Sequence, residues 1–269
     1  MVKQLLKKVV PGRLWATVRS ARIELHHAIY RPQTVTHNYF GQKLTVCIAD
    51  GLAEGYYDQD VPELERVKIM SKRKLVDGAR VFDLGSHVGV RAMALARFVG
   101  QSGQVVGVEP NPHSYESCVR NKGLNDLPQL EFLHAACSAE DQPINFGHGQ
   151  VDEPRGWFFE RIVDGISIDT MTERYGAPDN LFIDVEGFEC QALQGATATL
   201  ATSPDVFLEV HVGEGLEKLD GSVEQVVSYF PADRYELLAS RPFEPFVPFS
   251  PDLDFVSEYF FMLALSRDG

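Results

Sequence analysis

Cysteine is scarce in this chain and never closely paired. Cys47, Cys118, Cys137 and Cys190 stand far apart with no Cys-x-x-Cys spacing, which argues against a structural zinc site and a disulfide framework. Three of them fall in apolar segments, where a free thiol packs as a small hydrophobe, so the expected compartment is a reducing cytoplasm. Runs of eighteen apolar residues are missing, and the N-terminus has no signal-peptide core with a small-residue cleavage site. Neither a spanning helix nor secretion is expected. Internal repeats and low-complexity tracts are absent too.

Positive charge is in short supply except at one end. Residues 1–34 hold seven basic side chains (Lys3, Lys7, Lys8, Arg13, Arg19, Arg22, Arg31) against Glu24, so with a net charge of −13 for the chain the other 235 residues carry about −19. A body that acidic repels phosphate backbones and disfavours a nucleic-acid partner. The basic stretch has helical spacing, with Leu14, Val18, Ala21, Leu25 and Ile29 on one stripe beside Trp15. Two readings stand open for it: a helix packed on the domain or a partner subunit, or peripheral contact with an anionic membrane. The expected division is an arm over 1–33, a hairpin and helix over 34–74, and a main domain over 75–269. At this length one α/β domain with appendages is expected; oligomeric state is left open.

The middle glycine of a dinucleotide-binding Gly-x-Gly-x-x-Gly is also lacking. In its place stands Val81-Phe82-Asp83-Leu84-Gly85-Ser86-His87-Val88-Gly89, an apolar strand running into a Gly-x-x-x-Gly turn. A helix over about 88–99 follows, with Gly100 as its stop, and its first amides face any ligand above the turn. Asp83 suits a cationic amine, so the turn residues Gly85, Ser86, His87 and Gly89 read as a cradle for S-adenosylmethionine. Twenty residues past Gly89, the strand Gln104-Val105-Val106-Gly107-Val108 delivers Glu109, where a doubly wound fold places the acid that accepts ribose hydroxyls. Asn111 caps the next helix, with Pro112 at its first position.

Strands and helices alternate from Arg80: strand 80–84, helix 88–99, strand 104–109, helix 112–122, strand 130–136. This succession implies a doubly wound, mostly parallel sheet with right-handed crossovers. Upstream, 34–48 reads as a hairpin around Gly41-Gln42, and Asp60 as the cap of a helix over 61–72. Downstream lie strand 181–185, helix 189–200, strand 206–211, a helix near 223–230, and an antiparallel edge pair at 235–238 and 258–265. The polar stretch 140–161 is broken by Trp157-Phe158-Phe159, which fits either a lid or a loop anchor.

Two strand ends carry further acids. Asp184 and Glu186 are two apart in Ile183-Asp184-Val185-Glu186-Gly187, and Glu209 and His211 repeat the spacing in Leu208-Glu209-Val210-His211. Side chains two apart on a strand share a face, so on neighbouring strands these groups converge on one crevice. Buried acids are costly unless paired or used, so Asp184, Glu186 and His211 are the candidate catalytic groups, with His211 nearest neutrality in its unperturbed pKa.

Taken in order, these blocks resemble the FkbM-type family of S-adenosylmethionine-dependent methyltransferases. The matching pieces are Val81 to Gly89; Val108-Glu109-Pro110-Asn111-Pro112; the strand exit Ala135-Ala136; Ser167-Ile168-Asp169-Thr170-Met171; and Ile183-Asp184-Val185-Glu186-Gly187, continued by Leu193-Gln194-Gly195-Ala196. The resemblance spans about 75–212 and implies a Rossmann-like methyltransferase fold. It carries Asp83, Gly85, Gly89 and Glu109 into the cofactor site, with Ser86, His87, Asn111 and Ala136 beside them. It also implies methylation of hydroxyl oxygens on sugars, glycolipids or polyketide-type metabolites. His87 stands where the family usually has Asn, Phe182 where it has Lys, and Arg91 and Ala92 where small or hydroxylated residues are usual. Two other readings remain: Mg²⁺ held by Asp184, Glu186 and Glu209, or an inactive cofactor-binding scaffold brought to a membrane or a partner by the arm. The Asn/Asp-Pro-Pro-Tyr/Phe motif of nucleobase N-methylation is not present.

Overall fold

The computed structural model describes Leu25 and residues 29–62, 64–146, 161–242 and 244–268. Most of the basic arm and the Trp157-Phe158-Phe159 segment therefore lie outside the described residues. Among the described residues no helix is long and apolar enough to cross a membrane.

The chain opens on a hairpin of β1 (Gln33–Tyr39) and β2 (Gln42–Ile48). Its two-residue turn is Phe40-Gly41, both left-handed, one position earlier than the sequence suggested. The region after it departs further from expectation. Asp50 caps a helix at Gly51–Tyr57 by accepting the amides of Leu52 and Ala53. Asp60 caps nothing; it accepts the Asn38 amide and faces His37. The next helix, Glu65–Met70, begins after Leu64 without a side-chain cap. An acid before an amphipathic stretch reads as a cap, but Asp60 is recruited to the hairpin.

From Arg80 the sheet forms as the alternation requires. Its strands are β3 (Arg80–Leu84), β4 (Gln104–Val108), β5 (Leu130–Leu133), β9 (Asn180–Ile183), β10 (Asp205–Val210), β11 (Tyr235–Ser240), β12 (Val247–Pro248) and β13 (Phe260–Ser266). Their order is β12-β11-β13-β10-β9-β3-β4-β5, with β10, β9, β3, β4 and β5 parallel. The antiparallel partner β13 slots between β10 and β11. A smaller sheet of β6 (Ala136–Cys137), β7 (Pro143–Phe146) and β8 (Arg161–Ile166) lies apart.

Each face of the main sheet has its own apolar core. Phe82, Leu84, Ile183 and Leu208 face one side; Val81, Phe182 and Phe207 face the other, against the helix Val90–Phe98. Alternation thus carries Asp83, Asp184 and Glu209, each two residues beyond one of that second set, onto the face covered by this helix. The expected single helix over 189–200 is two short ones, Glu189–Gln194 and Thr197–Leu200, separated at Gly195-Ala196. A Cβ at Gly195 would meet the Ser138 carbonyl, which marks the close approach that divides them.

Candidate active site

The site is built at the carboxyl ends of β3, β4, β9 and β10. After β3 the chain turns through Gly85, His87 and Gly89, all left-handed, into the helix at Val90. Gly85 is required by contact: a Cβ there would lie 1.7 Å from the Asp184 carbonyl oxygen. The amides of Gly85 and Ser86 both donate to the Val108 carbonyl, tying the turn to β4.

Glu109 lies beside this turn. Its Oε2 accepts the His87 amide and its Oε1 the Asn111 amide, each at 2.8 Å. Burial pushes its pKa up; the two amide bonds pull it down, the charges of Asp184 and Asp83 push it up, and the result is about 8. Asn111 caps the helix Pro112–Gly123 as the sequence indicated. The His87 ring packs near Tyr57 and Tyr56, and burial lowers its pKa.

Asp83 is fully buried, and both its oxygens are engaged. Arg91 Nε donates to Oδ1 at 2.5 Å and Ser86 Oγ to Oδ2 at 2.9 Å. The guanidinium also lies 3.3 Å from Asp184 and 3.7 Å from Glu209. A cation from the helix thus serves the acid cluster, while Phe182 points into the apolar core below it. Arg91 is held charged: burial opposes this, but Asp83, Asp184 and Glu209 outweigh it. Glu209 takes the Tyr259 hydroxyl and faces Arg66, whose guanidinium stacks on Phe207 and Phe261.

Asp184, Glu186 and His211 come together, by a route the strand pattern does not describe. β9 ends at Ile183, and the chain turns sharply at Glu186 and Gly187, both left-handed. That turn, rather than strand alternation, returns the Glu186 carboxylate to within 3.6 Å of His211 Nε2, with Asp184 at 3.9 Å. Each of the three offers one metal-ligating atom, and these atoms lie within 4.8 Å of one another. Glu209 does not join them, because Tyr259 and the two arginines engage it on the other side of Asp184.

Sequence reasoning missed Glu189. It is fully buried, and its Oε1 lies 2.6 Å from His211 Nδ1 while also accepting the Gly187 amide. An acid in a first helical turn reads as a solvated partner of the helix dipole, so nothing in the sequence singled it out. Burial alone would lower the His211 pKa, but Glu189, Glu186 and Asp184 raise it. The imidazole's ordinary value is therefore a poor guide here. Asp184 is pushed up by burial and Glu209, and Glu186 by burial. Ala136, expected beside the cofactor, pairs with Gly165 and packs with Ile144, Phe146 and Phe188.

The family model described as the methyltransferase FkbM domain matches residues 83–237. This chain belongs to the FkbM methyltransferase family. By family and fold it carries a methyltransferase domain with a Rossmann-like sheet. The FkbM chain is also similar to a 23S rRNA (uracil(1939)-C(5))-methyltransferase of Acinetobacter baumannii. That alignment is 32% identical over 97 residues, 32% of this chain, and spans about a fifth (20%) of the relative's length. Among solved structures, an S-adenosylmethionine-dependent O-methyltransferase from Thermotoga maritima aligns at 16% identity and TM-score 0.43, over 87% of this chain and 77% of that one. An O-methyltransferase from Bacillus cereus in complex with S-adenosylhomocysteine aligns at 17% and 0.43, over 75% and 80%.

Proposed function

We propose that this FkbM methyltransferase methylates a hydroxyl oxygen on a sugar, glycolipid or related metabolite. The observation that carries this reading is the meeting of Asp184, Glu186 and His211, oriented by Glu189, at the strand ends next to the glycine turn. An alcohol is too weakly acidic to react unaided, and these groups mark where it binds and loses its proton.

The residues suit the cofactor. Each Glu109 oxygen already accepts one backbone amide and keeps a lone pair, so the pair together can receive the two ribose hydroxyls. The turn from Gly85 to Gly89, including Ser86 and His87, is the wall beside that ribose. Asp83 serves it indirectly, by holding Ser86 and Arg91. Bound there, the cofactor supplies a methyl group already activated on a sulfonium.

The chain's own part is to hold and orient the acceptor and to handle one proton. Incubating cell extracts with labelled methyl donor and this protein, then identifying the labelled product, tests the reading. Label on an ether oxygen supports it; label on nitrogen, carbon or nucleic acid overturns it.

A further inference from the structure

We propose that Asp184, Glu186 and His211 form a divalent-cation site that seats the acceptor hydroxyl, an inference that rests on the methyl-transfer reading of the same cluster. The three ligand atoms are two carboxylate oxygens and an imidazole nitrogen, lying within 4.8 Å of one another. Ligands on one ion with bonds of about 2.0 to 2.2 Å lie roughly 3 to 3.5 Å apart. The observed 3.6 and 3.9 Å from Nε2 need only a small inward movement, which the half-exposed Glu186 side chain can supply.

The imidazole gives an independent pointer. The His211 side chain is only 5% exposed, and its Nε2 faces the Glu186 and Asp184 carboxylates at 3.6 and 3.9 Å, just beyond hydrogen-bond distance. On the opposite edge Glu189, a carboxylate that can only accept, fixes the hydrogen on Nδ1. With a cation in place of the Nε2 hydrogen, the ring keeps its Nδ1 hydrogen on Glu189 and offers the Nε2 lone pair to an ion lying between the two carboxylates. A buried carboxylate behind a histidine is the usual outer partner of a metal-bound imidazole.

The donor set is oxygen-rich with one imidazole and no thiolate, which suits Mn²⁺ or Mg²⁺. Octahedral coordination leaves three positions open, enough for the acceptor hydroxyl and a neighbouring oxygen of a vicinal diol. Such coordination acidifies the hydroxyl, whose proton passes to water. The oxygen then bonds to the methyl carbon, and the C–S bond breaks with its pair on sulfur. The ion is unchanged.

Mn²⁺ titration of the full chain, followed by electron paramagnetic resonance, tests the site without any turnover. The expected result is one bound Mn²⁺ per chain, weakened at least tenfold in Glu186→Gln and Asp184→Asn. It should be unchanged in Glu214→Gln, an exposed acid nearby. Absent binding, or binding that survives Glu186→Gln, overturns the site. Methyl transfer that then continues in EDTA leaves the methyl-transfer reading standing. Bound Mn²⁺ in a chain that transfers no methyl group to any hydroxyl acceptor sinks that reading instead, and with it the seating role.

Discussion

His211 Nδ1 stands 2.6 Å from Glu189 Oε1, a contact sealed from solvent at the carboxylate end. Replacing Glu189 with Gln keeps the shape and, with its amide oxygen in the same place, one acceptor for both the Gly187 amide and the Nδ1 hydrogen, but it removes the negative charge behind the ring. The His211 pKa then falls. Glu189→Gln is expected to lower turnover by about 10- to 100-fold with S-adenosylhomocysteine affinity unchanged. Nitrogen NMR of His211 should show its pKa lowered. Wild-type turnover in this variant would show that Glu189 has no part in positioning His211 for the reaction.

Glu109 links cofactor binding to pH. With a pKa of about 8 in the free protein it is mostly protonated at pH 7, whereas accepting two ribose hydroxyls favours the carboxylate. Binding therefore releases a proton. Affinity for S-adenosylhomocysteine should be level above pH 8 and fall by up to about tenfold per unit below it. Calorimetry from pH 6 to 9 reads this directly. Glu109→Gln should bind more weakly and lose the slope, and a flat wild-type profile would contradict the assignment.

Arg91, itself 13% exposed, neutralises the fully buried Asp83. Removing one partner of a buried pair leaves an uncompensated charge, so Arg91→Ala should cost about 3 to 5 kcal/mol in urea unfolding. Asp83→Asn in the same chain should restore part of that loss. Additive effects of the two substitutions would argue against a direct pair.

Asp50 couples the Gly51–Tyr57 cap to His113, which lies 3.1 Å from its carboxylate. Burial pushes its pKa up, but the hydrogen bonds from His113 and the Ala53 amide prevail and hold it at about 2, below the ordinary 3.8. A depressed folded pKa contributes stability above the unfolded value, lost as pH falls through the folded one. The contribution is about 2 kcal/mol. Asp50→Ala should be less stable than wild type by that order at pH 7, and the gap should close between about pH 4 and 2.

The parallel core was legible because its strands are apolar, its glycine turn is local and its caps are short-range: β3, β4 and Asn111 appear where the pattern puts them. Contacts across the fold were not. Asp60 looks like a cap until the hairpin amide of Asn38 claims it, and Asp83 looks like a ligand group until Arg91, eight residues on, reaches back to it. Asp184 and Glu186 were expected together through strand alternation; they meet His211 through a left-handed turn instead. Glu189 was hidden because a helix-start acid facing inward has the same sequence signature as one facing water.

We place the loss of the acceptor's proton beside Asp184 and the cofactor elsewhere, at Glu109 and the glycine turn. Single-turnover methyl transfer by Asp184→Asn, measured with saturating S-adenosylmethionine on the acceptor found in the extract screen, tests this most directly. The expected rate is lower by a factor on the order of 10² or more, with S-adenosylhomocysteine binding and folding intact. A rate near wild type would contradict it.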